Sequence, residues 1–562
     1  MPEMAIQDAI EAVLSEMGVE SAEIHLERPK DPAHGDLATN IALTLASVLK
    51  RSPRSIAEEI AERLDLDAAG VQAVEVAGPG FLNFRRDTRQ VAAALSEILI
   101  AGAEFGRTEI GEGRPIMVEF VSANPTGPLH IGHARQAALG DAIAGLLEWT
   151  GWSVSREYYY NDAGVQIERL AESMWARYQQ RLGHDTEVPE GGYHGDYVVE
   201  LANHFFDQVG DRYSGEVTPA ALEALRVFAV ARLREEQDRD LDDFGVRFDT
   251  YFLESSLYES GRVDSTVVDL RATGHVYDHE GAVWLRTTEF GDQKDRVMLK
   301  SDGAPTYFLP DVAYHLDKWG RGFEHVINVQ GSDHHGTVAR VRAGLQALGL
   351  PQGYPEYVLH QMVRVEKDGK EVKFSKRSGF MLTLRELFEQ AGVDVTRYLF
   401  QWRKPEAQLV FDLDLALDQS EKNPVFKIQY AHARMCSIFR KAQVDLGDCG
   451  IADADLALLT HPTELELIKR LTNLPGLIER AAALRAPHLV CDYLEQLAGA
   501  VNSWYHAGNP SRDPELAVLV DNPELSGARL ALTRAVQIVL ANGLTVLGLS
   551  APERMERQEA RS

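Results

Sequence analysis

Glu119-Phe-Val-Ser-Ala-Asn-Pro-Thr-Gly-Pro-Leu-His-Ile-Gly-His-Ala-Arg135 is the stretch that decides the fold of this chain. The run that leads into it, Pro115 to Val121, is short, apolar and β-branched, which predicts a buried strand. The run that follows, Gln136 to Trp149, has apolar residues at helical spacing. The prolines and glycine in between interrupt both patterns, so the sequence predicts a strand, a tight turn and a helix.

Two histidines mark the beginning of that predicted helix. His130 and His133 are three residues apart, so they lie on one face of its first turn. A helix start has unpaired backbone amides and the positive end of the helix dipole, and it therefore attracts phosphate. Gly132 leaves room for a flat group against the backbone. The pattern predicts a nucleotide-phosphate site, and a pair of surface or capping histidines is the alternative.

A His-Ile-Gly-His run after a strand resembles the nucleotide-binding signature of class I aminoacyl-tRNA synthetases. In that family both histidines contact ATP phosphates and stabilise the transition state of adenylate formation. The resemblance implies that His130, Gly132 and His133 are catalytic residues. It also implies that ATP lies against several residues of the turn and helix start: Pro125, Thr126, Gly127, Leu129, His130 and His133.

The composition is that of an ordinary soluble globular protein. The chain has 562 residues, of which 45% are hydrophobic and 25% charged, and this length predicts three or four domains. We expect no membrane span, because no run of about 18 apolar residues exists, and the N-terminus lacks a signal-peptide pattern. Cys436, Cys449 and Cys491 form no Cys-x-x-Cys pair, which argues against zinc sites and disulfides and favours the cytoplasm.

The net charge of −28 bears on possible partners. A nucleic-acid-binding protein usually shows a basic surface, whereas an acidic chain repels polyanions non-specifically. An RNA partner would therefore be bound by local basic and aromatic patches rather than by the overall field.

Residues 1–105 predict a separate α+β domain. Its expected elements are two helices and a pair of strands around a turn: Ile6–Met17, Ile41–Leu49 and Val71–Phe84. The segments His34–Ala42 and Gly78–Phe84 resemble the N-terminal domain of arginyl-tRNA synthetases. The resemblance implies that Phe81 and Asn83 approach the D-loop of tRNA. The alternative is that these segments only form turns and that their aromatic residues belong to the core.

Two later segments place polar residues where an α/β protein binds ligands, at strand ends. Tyr307 and Asp311 are four residues apart, so a helix that begins there puts both on one face. Gln330, Asp333 and His334 lie at the end of a predicted strand that begins at Val326. A metal site at Asp333-His-His is less favoured, because adjacent histidines point apart and no third ligand is visible.

The carboxylates at these positions suit arginine. A planar guanidinium presents a fork of donors and no acceptor, so it requires carboxylate and amide oxygens. Glu119 and Asp311 supply the carboxylates, and Tyr307 offers a ring or a hydroxyl. The resemblance implies an arginine-binding set: Glu119, Ser122, Asn124, Tyr307, Asp311 and Gln330. It places Asp333 and His334 beside ATP. Which carboxylate meets the guanidinium and which the α-amino group stays open.

Lys373-Phe-Ser-Lys-Arg-Ser378 lies in a basic loop, which by itself indicates a solvated surface. This run resembles the second class I signature, Lys-Met-Ser-Lys-Ser. Two ammonium groups on such a loop can neutralise the charge that develops on a triphosphate. The resemblance makes Lys373, Ser375 and Lys376 catalytic, with both lysines on ATP.

The last third of the chain predicts helices, from about residue 393 to the end. The run Gln429–Arg434 and the ending Pro552–Met555 resemble the anticodon-binding domain of arginyl-tRNA synthetases. The resemblance implies that four side chains contact tRNA: Tyr430, Arg434, Tyr505 and Met555. Core packing is the alternative, because aromatics on helices are often buried.

Taken together, the sequence predicts a multidomain α/β protein. We expect an N-terminal α+β domain (1–105), a class I Rossmann-type catalytic domain with a connective insertion at about 170–290 (106–392), and a C-terminal all-α bundle (393–562). The resemblance to arginyl-tRNA synthetases implies ATP, L-arginine and tRNA(Arg) as partners, with Mg²⁺ carried by the nucleotide. We also expect a monomer without a protein-bound structural metal. A non-enzymatic tRNA-binding paralogue and a tRNA-independent adenylating enzyme of the same superfamily are the alternatives.

Overall fold

The computed structural model describes residues 2–19, 22–27, 29, 34–86, 88–162, 164–372, 382–444, 454–509 and 513–555. The chain divides into two compact units. The first comprises Met1–Phe105, Arg434–Asn473 and Gly499–Val539, and the second comprises Gly106–Ala433, Leu474–Ala498 and Leu540–Ser562. The region after residue 393 therefore contributes to both units.

The N-terminal part of the first unit is an antiparallel sheet with helices. Its elements are α1 (Pro2–Glu16), β1 (Leu26–Glu27), β2 (Leu37–Thr39), α2 (Ile41–Leu49), α3 (Pro53–Arg63), β3 (Val71–Ala77), β4 (Phe81–Arg86) and α4 (Thr88–Ala101). The strands pair in the order β1-β2-β4-β3. Ile10, Ile56 and Phe84 are fully buried in its core. Each lies in a different element and belongs to the apolar face of that helix or strand. The predicted α+β content of this region is confirmed.

The second unit contains the stretch from Glu119 to Arg135. Its first elements are β5 (Pro115–Glu119), α5 (Ile131–Trp149), β6 (Ser153–Tyr160), α6 (Val165–Arg181), α7 (Asp196–Val209), α8 (Pro219–Asp243), β7 (Thr250–Leu253), α9 (Glu254–Glu259) and α10 (Arg262–Ala272). They are followed by β8 (Val276–His279), β9 (Ala282–Leu285), β10 (Arg296–Leu299), α11 (Phe308–Gly320), β11 (Val326–Gly331), α12 (His335–Ala347) and β12 (Glu356–His360). The predicted strand, turn and helix are confirmed.

A five-stranded parallel sheet positions the site. From one side to the other the strands lie in the order β7-β6-β5-β11-β12. Numbered along the chain, this is the order 3-2-1-4-5 of a Rossmann sheet. The strand order reverses between β5 and β11, and in such sheets ligands bind at the carboxyl ends of the strands that flank this point. Glu119 ends β5 and Gly331 ends β11, so both lie at this edge.

The range predicted as a connective insertion, about 170–290, holds three kinds of structure. The helices α6, α7 and α8 pack around a core of their own, with Leu170, Val198 and Leu233 fully buried. Strands β8, β9 and β10 form a separate antiparallel sheet. Between them, β7 pairs in parallel with β6, so the range also contains one strand of the central sheet.

The remaining elements are β13 (Val363–Lys367), β14 (Lys370–Glu371), α13 (Leu384–Ala391), α14 (Val393–Gln401), β15 (Leu409–Asp412), α15 (Leu413–Leu417), α16 (Pro424–Ala442), α17 (Pro462–Leu471), α18 (Leu474–Ala483), α19 (His488–Ala507) and α20 (Pro523–Val546). The prediction of uninterrupted helices after 393 is wrong at β15, which pairs in parallel with β13. Leu409 and Phe411 are buried and Val410 is exposed, which is the alternation of a strand. Within the described ranges, no helix is long and apolar enough to span a bilayer.

Candidate functional site

The turn after β5 begins with unusual backbone geometry. Val121 and Ser122 have φ angles of 66° and 42°, and positive φ is sterically unfavourable for residues with a side chain, above all for a β-branched one. The Ser122 hydroxyl donates to Glu119 Oε1 at 3.1 Å and accepts from the Tyr159 amide at 3.2 Å. These two bonds to neighbouring strands hold the backbone in a conformation that it would not adopt alone.

The two histidines form a stacked pair at the start of α5. The Gly132 amide donates to Nδ1 of His130 at 3.1 Å, and the His130 amide donates to Nδ1 of His133 at 3.3 Å. The ring centroids are 3.8 Å apart. Because both Nδ1 atoms accept, the proton of each neutral ring lies on Nε2. Each ring thus caps the helix through one nitrogen and carries an N–H donor on the other, so capping and phosphate binding are compatible.

Gly132 favours this arrangement. A Cβ atom at position 132 would lie 3.0 Å from Cε1 of His130, closer than carbon atoms normally approach. The small residue therefore lets the His130 ring fold over the first turn of α5 and stack on His133.

The second signature loop, with Lys373, Ser375 and Lys376, lies outside the described residues. The residues that follow it contact the first signature. The Leu384 amide donates to the Leu129 carbonyl at 2.8 Å, and Thr383 forms an antiparallel bridge with His130. Thr383 also caps α13, since its hydroxyl accepts from the Glu386 amide at 3.1 Å. Thr383 and Leu384 are therefore held beside His130 and Leu129.

Glu119 is paired with a buried lysine that the sequence did not reveal. Nζ of Lys318, on α11, lies 2.5 Å from Glu119 Oε2 and 3.3 Å from Asn328 Oδ1. Lys318 is fully buried, and Glu119 is only 5% exposed. The ammonium also lies 4.2 Å from the centre of the Tyr314 ring. The negative charge of Glu119 is thus balanced within the protein.

A second ion pair, between the buried Glu157 and the partly exposed Arg321, connects the end of α11 to the sheet. Arg321 donates two hydrogen bonds to the Glu157 carboxylate, at 2.6 and 2.9 Å, and the Tyr314 hydroxyl donates a third at 2.6 Å. Burial is the largest single effect and favours the neutral acid, but the hydrogen bonds from Arg321 and Tyr314 and the charges of Lys318 and Arg321 together outweigh it, so the pKa of Glu157 lies below its usual value. Two ion pairs thus fix the helix that carries Asp311.

Asp311 differs from Glu119 because no cation of the described residues bonds to it directly, although the nearby charges of Arg340 and Lys318 lower its pKa in part. Among the residues with described positions it has neither a hydrogen-bond nor an ion-pair partner. Burial, and next the negative charge of Glu254, raise the pKa of Asp311 to about 7. Glu254 begins α9 at the end of β7 and accepts a hydrogen bond from the Tyr159 hydroxyl at 2.8 Å. This excess of carboxylate oxygen suits a cationic ligand.

Other predicted residues lie at the same strand ends. Oε1 of Gln330 is buried and has no hydrogen-bond partner in the described part of the chain, so it is an acceptor that a ligand could use. The Asn124 amide donates to Gln166 Oε1 at 2.7 Å. Tyr307 is 77% exposed just before α11. Asp333 and His334 are exposed, and their nearest side-chain atoms are 3.8 Å apart.

The described residues contain no group of three His, Cys, Asp or Glu side chains that could hold a metal ion.

Asn83 is more buried than the other residues predicted to contact tRNA. It is 6% exposed and lies in β4, paired with Ala38 on one side and Glu75 on the other. Its contact with RNA stays a prediction. Phe81, at the start of β4, is only half-buried and remains compatible with a contact.

The C-terminal residues predicted to bind tRNA lie in two separate groups. In the second unit, Tyr430 stacks on Phe426 with ring centroids 5.9 Å apart, and Phe426 lines a cavity of about 310 Å³ together with Met555. In the first unit, the Arg434 guanidinium lies 4.6 Å from the centre of the Tyr505 ring. All of these side chains are half-buried, as expected for stacking surfaces.

Comparisons with known proteins agree with this geometry. Three family profiles match: the arginyl tRNA synthetase N terminal domain over residues 4–86, the class I (R) tRNA synthetase catalytic domain over 94–407, and the DALR anticodon binding domain over 428–555. An arginine–tRNA ligase of Bordetella petrii is 51% identical over 98% of both chains, and one of Methylibium petroleiphilum is 51% identical over 97% of this chain and 98% of its own. The chain belongs to the arginyl-tRNA synthetase family.

Solved structures extend this result to three dimensions. The arginyl-tRNA synthetase of Thermus thermophilus superposes with a TM-score of 0.77 at 27% identity and covers 99% of this chain and 100% of its own. That of Plasmodium falciparum, 17% identical, superposes with a TM-score of 0.71 over 98% of both chains and shows the same fold. The predicted family, fold class and enzyme class, an aminoacyl-tRNA synthetase, are confirmed. The two alternative functions are not favoured.

Proposed function

We propose that this synthetase activates L-arginine with ATP and transfers the arginyl group to the 3′ end of tRNA(Arg), releasing pyrophosphate and AMP. The observation that carries this proposal is the pairing of two features at one edge of the sheet. One is a helix start with two histidine N–H donors, and the other is a group of carboxylates, Glu119, Asp311 and Glu254, of which only Glu119 forms an ion pair within the described residues. The first suits the phosphates of ATP and the second suits arginine.

The phosphate side of the site uses donors and positive charge. His130 and His133 would donate from Nε2 to oxygens whose negative charge grows in the transition state. Pro125, Thr126, Gly127 and Leu129 shape the turn. Lys373 and Lys376 would add positive charge, and Ser375 would add a hydroxyl donor. Asp333 and His334 border the nucleotide. Mg²⁺ would arrive bound to the ATP phosphates and neutralise part of their charge.

The arginine side uses oxygen acceptors. Asp311, which forms no ion pair with any residue that the structure describes and whose pKa is raised to about 7 despite the nearby Arg340 and Lys318, is the better candidate for the guanidinium. Glu119, held by Lys318 and Ser122, is better suited to a fixed α-amino contact. Asn124, Tyr307 and Gln330 supply the remaining polar groups. This division follows from the charge balance around the two carboxylates.

The tRNA side rests on the six predicted residues, of which all but Asn83 are half-buried. We assign tRNA contacts to these six: Phe81, Asn83, Tyr430, Arg434, Tyr505 and Met555. We keep the predicted domain limits of 1–105, 106–392 and 393–562. We also propose that the enzyme acts as a monomer in the cytoplasm, where aminoacylated tRNA is used in translation.

The test is ATP–pyrophosphate exchange and tRNA aminoacylation with arginine, lysine and citrulline. Of the three amino acids, only arginine should support both reactions. Citrulline keeps the shape of arginine but loses its charge, and lysine presents a compact ammonium instead of the forked N–H donors of a guanidinium. His133→Ala should lower the exchange rate by roughly 10²-fold with little change in arginine affinity. Activation of citrulline as efficient as that of arginine would refute the pocket.

A further inference from the structure

The three-helix segment formed by α6, α7 and α8 contacts the signature turn directly. Gln237, on α8, is 1% exposed. Its side-chain amide donates to two carbonyl oxygens of the turn, that of Asn124 at 3.2 Å and that of Gly127 at 2.8 Å. One buried side-chain amide thus bridges the Asn124 and Gly127 carbonyls, which are three residues apart in the turn.

A second helix of the segment contacts the carbonyl between these two. The Tyr197 hydroxyl, on α7, donates to the Thr126 carbonyl at 2.8 Å. Its ring lies against Gly127, where a Cβ atom would be 3.3 Å away. Three carbonyls of the turn are therefore held from the helical segment, and none of them belongs to a regular helix or strand.

The start of the turn is held from the sheet. The Tyr158 hydroxyl lies 3.0 Å from both the amide and the carbonyl oxygen of Ala123. The same hydroxyl is 3.4 Å from Oε1 of Gln237. The glutamine thus joins a buried chain of hydrogen bonds that runs from β6 through the turn to α8.

Such a chain matters because the turn determines where α5 begins. Pro125 and Pro128 have no amide hydrogen, so the turn cannot form a regular hydrogen-bond pattern of its own. A displacement of about 1 Å at a reacting group can lower a rate by roughly 10²-fold. The position of His130, only three residues after Gly127, depends on where these carbonyls are fixed.

We propose that Gln237 is a positioning residue for the activation step, whose side-chain amide fixes the signature turn so that the histidines meet the ATP phosphates. The proposal rests on the function proposed above. It gives a role in activation to a helical segment in which the sequence showed no chemistry. Tyr197 acts with Gln237 through the Thr126 carbonyl.

The test uses Gln237→Met, which keeps the volume but removes both donors. We expect kcat of ATP–pyrophosphate exchange to fall roughly 10- to 100-fold and KM for ATP to rise, while the dissociation constant for arginine changes less than about threefold. Tyr197→Phe removes one hydroxyl from a less buried position and should lower kcat in the same direction, to a smaller extent.

Gln179→Met is the matched control. Gln179 is also 1% exposed, but it lies on α6 and bonds within the helical segment, to the Tyr213 carbonyl at 2.8 Å and from the Gly215 amide at 3.3 Å. Its substitution should lower the melting temperature without a selective loss of kcat.

Two results would overturn the positioning role. One is normal exchange by Gln237→Met, and the other is an equal kinetic loss in Gln179→Met. If Gln237→Met fails to fold, the comparison of Tyr197→Phe with Gln179→Met decides in the same way. Wild-type enzyme is assayed first, with and without tRNA(Arg). Absence of arginine-dependent exchange in both conditions would refute the proposed function itself, whereas an active wild type with an unaffected Gln237 variant refutes only the positioning role.

Discussion

Removal of the Lys318 ammonium should lower the local stability of strand β5, which carries Glu119. In Lys318→Met, Glu119 keeps its burial but loses its cation, and within the described structure only the Ser122 hydroxyl still bonds to it. Breaking one partner of a buried ion pair typically costs about 3–5 kcal/mol. Because the Asn328 bond and the Tyr314 ring contact depend on the same ammonium, we expect the upper part of that range, ~4–5 kcal/mol.

Hydrogen exchange measured by mass spectrometry is the suitable assay. In a chain of several domains, a single unfolding midpoint does not isolate one site, whereas the exchange of β5 amides reports the local free energy of opening. The double variant Lys318→Met with Glu119→Gln should recover most of the loss, since a neutral amide replaces the unpaired charge. Arginine activation should stay low in both, because Glu119 is part of the proposed pocket.

Arg226→Met is the control, because it removes an ion pair with Glu223 at the surface of α8. Exposed pairs contribute little, so β5 exchange should not change. A loss below about 1 kcal/mol in Lys318→Met would refute the reasoning, since it falls outside the range for a broken buried pair. Failure of the double variant to recover would refute it independently.

Three further predictions concern the substrates. Arginine affinity should fall as the pH drops through about 7, because the guanidinium needs the ionised form of Asp311, and burial and the charge of Glu254 raise the pKa of Asp311 to about 7. Asp311→Asn should bind arginine weakly at every pH, and a wild-type affinity that calorimetry shows to be independent of pH would contradict this. Lys376→Ala should slow single-turnover activation without weakening arginine binding, and a pure binding defect would reject the assignment. Tyr430→Ala and Met555→Ala should each cost roughly 1–3 kcal/mol of tRNA affinity in filter binding; normal affinity with a lower melting temperature would make them core residues.

The sequence predicted the elements that carry its strongest local signals. The strand before Glu119 and the helix after His130 follow from apolar spacing and from the prolines between them, and the structure confirms both. The stacking of the two histidines could not be predicted, because it depends on the rotation of each ring toward a backbone amide. Periodicity fixes which face a residue occupies but not the direction of its side chain.

Lys318 and Gln237 escaped prediction for a different reason. A lysine or glutamine in a helix is usually exposed, and neither residue stands in a recognisable motif. Their partners, Glu119 and the carbonyls of the turn, are more than a hundred residues away along the chain. One signal was present at Lys318, which lies seven residues after Asp311 and therefore on the same face of α11.

The strand Leu409–Asp412 was missed because it has four residues. Such a length allows a single alternation of burial, which cannot be separated from one helical turn. Its parallel pairing with β13, a strand about 45 residues earlier, is a tertiary contact that local pattern does not encode.

The positive φ angles of Val121 and Ser122 limit how far this enzyme can be made heat-resistant. An engineer would replace Val121 with glycine, which adopts that conformation freely and relieves about 1–2 kcal/mol. The unfolded chain gains entropy worth about 0.4–1 kcal/mol in return, so the net benefit is at most about 1.6 kcal/mol, and the loss of the Val121 side chain, which is only 3% exposed, lowers it further. The same glycine lets the turn before the histidines adopt other conformations. A variant optimised for high temperature at this position would therefore lose turnover.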